Sequence, residues 1–169
     1  MFPRFALALA ALILASCAAP PRPVELASAP VLPLALDSDF QFRKMKRFIN
    51  QPATFQPTEN ETINFDRKRV NHGALSADER RQREGTYFDF FWRARRPADL
   101  TVRFEYRQAK LGNAVRAQEV SYEQAKGTVK TSFAVTGDDF QWDGPVTAWR
   151  CLLIENKRIV GFTQSYLWK

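Results

Sequence analysis

Between Leu100 and Arg107 every second residue is large and apolar: Leu100, Val102, Phe104 and Tyr106 alternate with Thr101, Arg103, Glu105 and Arg107. A period of two puts the two sets on opposite faces of a β-strand, one for a core and one for solvent. Phe88, Phe90, Trp92 and Ala94 alternate in the same way just before it. Arg96-Pro97-Ala98 between the two runs reads as a turn, because proline presets its own backbone angle and has no N–H to give a ladder. The expectation is a hairpin in which Phe90 faces Phe104, Trp92 faces Val102 and Arg95 meets Asp99. Burial fixes that register, since a one-residue slip would turn every aromatic outward.

The rest of the chain repeats the pattern. Val146–Ile154 and Ile159–Trp168 flank Asn156-Lys157, so a two-residue turn would set Glu155 opposite Arg158, Leu153 by Val160, Cys151 by Phe162 and Trp149 by Gln164. Val115–Tyr122 and Thr128–Thr136 are separated by Gln124-Ala125-Lys126-Gly127, read as a turn, and Gly137-Asp138-Asp139 is read as a break. Six strand-like runs at regular spacing predict an all-β fold, an antiparallel two-sheet sandwich. One or two strands from residues 40–70 would bring it to seven or eight. Helices are limited to one or two short ones before residue 86. Ser76-Ala77-Asp78-Glu79 has the form of a capping box, with Gly85 as a stop. Phe42, Met45, Phe48 and Ile49 fall at helical spacing with Arg43, Lys44, Lys46 and Arg47 between them, although a short strand fits nearly as well. As a helix, the segment would cap one end of the sandwich or lie on anionic lipid. In strand count, strand length and turn spacing, residues 86–169 resemble immunoglobulin-like or fibronectin type III-like sandwiches. The likeness is architectural, because Cys151 has no second cysteine for a core disulfide.

The N-terminus carries a different signal. A short basic start, Met1 to Arg4, precedes an unbroken apolar run from Phe5 to Ser16, which is the layout of an export signal. The run is far shorter than the roughly 20 residues a membrane-spanning helix needs, and Pro20, Pro21 and Pro23 forbid extending it. At its end, Leu14-Ala15-Ser16-Cys17 resembles the lipobox of bacterial lipoproteins. The resemblance implies cleavage between Ser16 and Cys17, a diacylglycerol on the Cys17 sulfur and an added fatty acid such as palmitate on the new amino group. Ala18, rather than Asp, points to the outer membrane with the protein facing the periplasm. Acylated Cys17 could not pair with Cys151, so no intramolecular disulfide is expected. The domain reading is therefore a signal peptide over 1–16, a lipidated cysteine with a Pro/Ala-rich tether over 17–36, and one sandwich domain over 37–169, best supported over 86–169.

Composition narrows the function. A length of 169 residues leaves room for one domain, and 45% hydrophobic residues with 13% aromatics exclude a disordered tail. A net charge of +7 favours anionic partners, but export argues against nucleic acid. The export signal holds a single charged residue, Arg4, so the basic excess belongs to the mature chain. His72 is the only histidine and lies in the turn-like Asn71-His72-Gly73, with no nucleophile motif to serve. One histidine and one mature cysteine do not reach a zinc ligand count. Asp138, Asp139 and Asp143 could offer oxygens to calcium, yet Gly-Asp-Asp is first a turn composition. Glu105 and Glu119 stand in strands and read as surface partners of arginines rather than a glycosidase pair. Cys151 is read as a core filler. No metal, cofactor or catalytic residue is expected. Arg93, Arg95, Arg96, Arg103 and Arg107 crowd one predicted hairpin beside Tyr87 and Phe91. Arg93, Arg95, Arg103 and Arg107 form the candidate anion- or ligand-binding face, or else a solvated sheet surface on which Arg103→Ala would cost less than about 0.5 kcal/mol. The functional expectation is a lipid-anchored cell-envelope protein, a non-enzymatic binding or scaffolding module. Its partners would be the membrane through Cys17 and another envelope protein, peptidoglycan or anionic glycolipid. The alternative is a cell-wall or polysaccharide hydrolase whose carboxylate site the sequence does not reveal.

Overall fold

The computed structural model describes residues 21–52 and 57–169, so Ser16, Cys17 and the lipobox reading lie outside the described residues. The elements are β1 (Val24–Leu26), β2 (Phe40–Asn50), α1 (Glu61–Asn71), α2 (Ala77–Gln82), β3 (Gly85–Gln108), β4 (Arg116–Thr136), α3 (Gly137–Asp143), β5 (Val146–Glu155) and β6 (Arg158–Gln164). The fold is all-β and antiparallel. Its six strands form one sheet in the order β1-β4-β3-β5-β6, with β2 also paired to β3, rather than seven or eight strands in two sheets.

The two predicted hairpins before residue 137 are two long strands. β3 pairs with β4 from Gly85↔Thr136 to Ala94↔Gly127, and again from Leu100↔Tyr122 to Tyr106↔Arg116. The register breaks between Ala94 and Leu100. There the turn residues bend the strands without reversing them: Pro97 withholds a donor, and on β4 Gln124 and Gly127 take left-handed backbone (φ 46° and 83°). The result is a crease across the sheet. On one side β3 is flanked by β2, on the other by β5. Folding at the crease brings the two halves of β3 face to face, so the Phe90 and Phe104 rings meet at 5.6 Å within one strand.

The core lies inside this fold. Phe88, Phe90, Phe104, Phe133 and Trp149 pack ring on ring, with centroids from 4.7 to 6.2 Å apart. Thr131 ties the halves of β4 together: its hydroxyl accepts from Trp92 Nε1 and bonds the Tyr122 hydroxyl, each at 2.8 Å. Cys151 is fully buried opposite Phe104 and has no disulfide partner among the described residues. Burial pushes its thiol well above the ordinary range.

Residues 42–49 belong to β2 and not to a helix. The register slips at Arg43, so that Phe42 faces Trp92 and Met45 faces Phe90. A bulge turns the strand spacing of two into three, which imitates a helical period. At the C-terminal hairpin Asn156 and Lys157 both have positive φ, as a type I′ turn requires, and Glu155 opposes Arg158 as expected. A register shift between Leu153 and Ile154 then moves each earlier pair by one: Leu153 meets Gly161, Cys151 meets Thr163, and Phe162 is 44% exposed.

The capping box stands. Ser76 Oγ accepts from Glu79 N, and Glu79 Oε2 accepts from Ser76 N. Gly85 opens β3 instead of ending α2, and a Cβ there would sit 2.1 Å from the Val135 carbonyl oxygen. The predicted break at Gly137 is the start of α3, a third short helix that lies after residue 86, where none was expected. The proline-rich stretch read as a tether through residue 36 is, from Val24 on, part of the fold. β1 adds to β4 (Val24↔Glu119 to Leu26↔Ala117), and Pro33 and Ala35 then exchange backbone bonds with Ile159, each 2.9 Å.

Candidate functional site

The crease divides the candidate arginines between two regions. Beyond it, the side of β3 away from the aromatic core carries Thr101, Arg103, Glu105 and Arg107. The sequence assigned this face to solvent, but Arg103 is only 5% exposed and Glu105 3%. The N-terminal segment explains the burial. After β1 the chain crosses this face, where the Pro30 carbonyl accepts from Arg103 Nη1 at 2.8 Å, and Leu32 packs against Leu152, Ile154 and Ile159. Alternation tells which side chains leave the core, not what covers them from 73 residues away.

Buried arginine demands counter-charge, and the register supplies it. Arg103 opposes Glu119 across the β3–β4 ladder, and its Nε donates to Glu119 Oε1 at 2.6 Å. Arg103 Nη1 also lies 3.7 Å from Glu105 Oε1, and Arg150 Nε donates to Glu105 Oε2 at 2.6 Å. Two acids and two bases thus alternate across the sheet. The C-terminal tail closes the other end: Trp168 receives Arg107 and Arg150 on its ring, guanidinium to centroid 4.8 and 5.0 Å. Arg107 thus stacks on Trp168, and its Nη2 also donates to the Lys169 carbonyl at 3.3 Å. Beside the N-terminal segment runs an open groove of about 710 Å³ lined by Leu32, Thr101, Arg103, Glu119, Ser121 and Lys157 among others. Its Thr101 and Ser121 hydroxyls lie 3.4 Å apart.

At the crease, Arg96 gathers three acids. It donates to both oxygens of Glu155 (2.6 and 2.7 Å) and to Asp37 Oδ2 (3.0 Å), lies 3.6 Å from Asp39, and covers the Phe40 ring at 4.4 Å. The hydrogen bonds it donates to Glu155 and Asp37 raise its pKa. The Asp39 backbone N–H, and then Arg96, hold the Asp37 carboxyl below its ordinary range. Asp99 accepts from the Gln124 backbone and side chain instead of meeting Arg95.

Before the crease, Arg93 and Arg95 are exposed and lie apart from Arg103 and Arg107. The region around Arg93 also holds residues that sequence reading did not join. Lys44 of β2 and Lys130 of β4 flank Phe91 on its two sides, and Lys46 opposes Asp89. The lysines could not be placed beside Phe91 until two strand registers were known.

The remaining chemistry candidates serve the scaffold. His72 ends α1, where its carbonyl accepts from Arg83 Nη1 at 2.6 Å. Asp139 and Asp143 both bind Arg116, at 2.8 and 2.6 Å. Among the described residues no group of three His, Cys, Asp or Glu is placed to hold a metal ion, and no helix is long and apolar enough to cross a membrane.

No protein-family model, curated protein or solved structure matches this chain. Its chemistry has to be read from these contacts alone.

Proposed function

We propose that the chain is a lipid-anchored protein of the bacterial cell envelope, held at the outer membrane through Cys17, whose creased sheet is a non-enzymatic binding or scaffolding module. The observation that carries the non-enzymatic part is the state of Glu105 and Glu119. A glycosidase pair needs one carboxyl free to donate a proton and a second free to attack or activate water. Here both are held by guanidinium groups at 2.6 Å, Glu105 by Arg150 and Glu119 by Arg103, so they serve as counter-ions. The anchoring part rests on Leu14-Ala15-Ser16-Cys17 and on distance. Val24, the first residue of the sheet, follows Cys17 by seven positions, a span of at most about 25 Å. A lipid on Cys17 would keep the module close to the bilayer.

The test is the mass of the mature N-terminus with fractionation of the envelope. A chain beginning at a diacylglyceryl-modified Cys17 is expected in the membrane fraction, and Cys17→Ser should abolish lipid attachment and leave the uncleaved precursor. An unmodified mature N-terminus would end the anchoring reading. Turnover of peptidoglycan or polysaccharide by the purified chain would end the non-enzymatic one.

A further inference from the structure

We propose that the sheet face centred on Phe91 is an electrostatic docking surface for an anionic phospholipid bilayer, with Lys44, Arg93 and Lys130 meeting headgroup phosphates around the aromatic ring. The proposal deepens the anchored-module reading, since it says which way the module would face.

Two observations support it. The register puts Lys44 and Lys130 directly across from Phe91 on its two neighbouring strands, and Arg93 follows two residues along β3. Neighbouring strands are about 4.8 Å apart and alternate residues about 6.8 Å, so the three cations surround the half-buried ring. The second observation is charge imbalance. The ladder beyond the crease balances Arg103 and Arg150 against Glu105 and Glu119. On the Phe91 face, Lys44, Lys46, Arg93 and Lys130 stand against Asp89, whose oxygens are engaged by Lys130 at 2.8 Å and Ser132 at 2.6 Å, while Asp66 of α1, which lines a pocket with Lys44 and Lys46, lies 3.7 Å from Arg69. Among the described residues, Lys44, Lys46 and Arg93 have no carboxylate in salt-bridge range. A basic face around an apolar aromatic suits an anionic lipid surface, each lysine or arginine contributing through the surface potential.

The experiment uses the chain from residue 17 onward with Cys17→Ser, which keeps every described residue and removes the lipid. Sedimentation with vesicles of phosphatidylglycerol and phosphatidylethanolamine should capture it, phosphatidylcholine vesicles should not, and added salt should release it. Lys44→Gln with Arg93→Gln should lower the partition coefficient about thirty-fold, from about 1 kcal/mol per cation at the surface. Lys157→Gln with Arg158→Gln removes the same charge from the exposed β5–β6 turn and should change it by no more than about two-fold. Equal losses from the two double variants, no binding to the anionic vesicles, or capture by a soluble anionic polysaccharide in preference to vesicles would overturn the proposal. Since no acyl group takes part, failure here leaves the anchoring reading intact, and an unmodified N-terminus leaves this result intact.

Discussion

Removing the Arg103 side chain tests the covered ladder directly. Two opposite estimates follow from two placements. For a solvated arginine, Arg103→Ala costs less than about 0.5 kcal/mol. Loss of one partner from a buried ion pair costs about 3 to 5 kcal/mol, because the other charge stays behind unpaired. Two features reduce that figure here. Glu105 keeps Arg150, and the Glu119 side chain is 23% exposed and retains some water. Loss of the bond to the Pro30 carbonyl adds to the cost, since a buried acceptor left open costs about 1 to 3 kcal/mol. The expected loss is about 2 to 4 kcal/mol. Urea unfolding of the unacylated chain, followed by tryptophan fluorescence, reads it out. With a slope of about 2 kcal/mol per molar, the midpoint falls by about 1 to 2 M. Arg103→Met with Glu119→Leu should recover most of the loss, because an apolar pair can replace a buried ion pair at little net cost. A loss below about 0.5 kcal/mol for Arg103→Ala would refute both the buried ladder and the docked N-terminal segment.

Two further outcomes follow. Cys151 should resist thiol reagents in the native protein near pH 8 and react quickly once urea unfolds the chain, as a colorimetric thiol assay would show; rapid native labelling would contradict its burial. The Asp37 carboxyl is held below its ordinary pKa, so its ionised form stabilises the fold above the unfolded value, and that contribution is lost as pH falls through the lower folded value. Asp37→Asn should flatten the acid limb of the stability profile, and an unchanged limb would show that the crease contacts contribute nothing measurable.

How far the sequence could be read depended on whether a signal was local. Alternation in Leu100–Arg107 placed Phe104 in the core and Arg103 off it, and both placements hold. The Asn156-Lys157 turn was legible because a two-residue hairpin loop sets its own backbone, and the Ser76–Glu79 capping box because its partners are three residues apart. Pro97 and Gly127 were legible as irregular backbone but not as a crease, since the same residues can reverse a chain or merely bend it. Phe42 and Met45 took a helical spacing from one bulge at Arg43. The arginine face failed for a different reason: which cations share a surface depends on strand register and on a distant segment that covers one of them. Lys44 and Lys130 are 86 positions apart in sequence and lie on either side of one ring.

The N-terminal segment also has a place in time. Synthesis delivers Val24–Leu26, Pro30 and Pro33 early, yet their partners include Glu119, Arg103 and Ile159, so these residues are among the last able to settle. Contacts this far apart in sequence form slowly, because the loop between them must close before any bond rewards it. Until β4 exists, Val24–Leu26 have no strand to pair with, and until β6 exists, Pro33 and Ala35 have none.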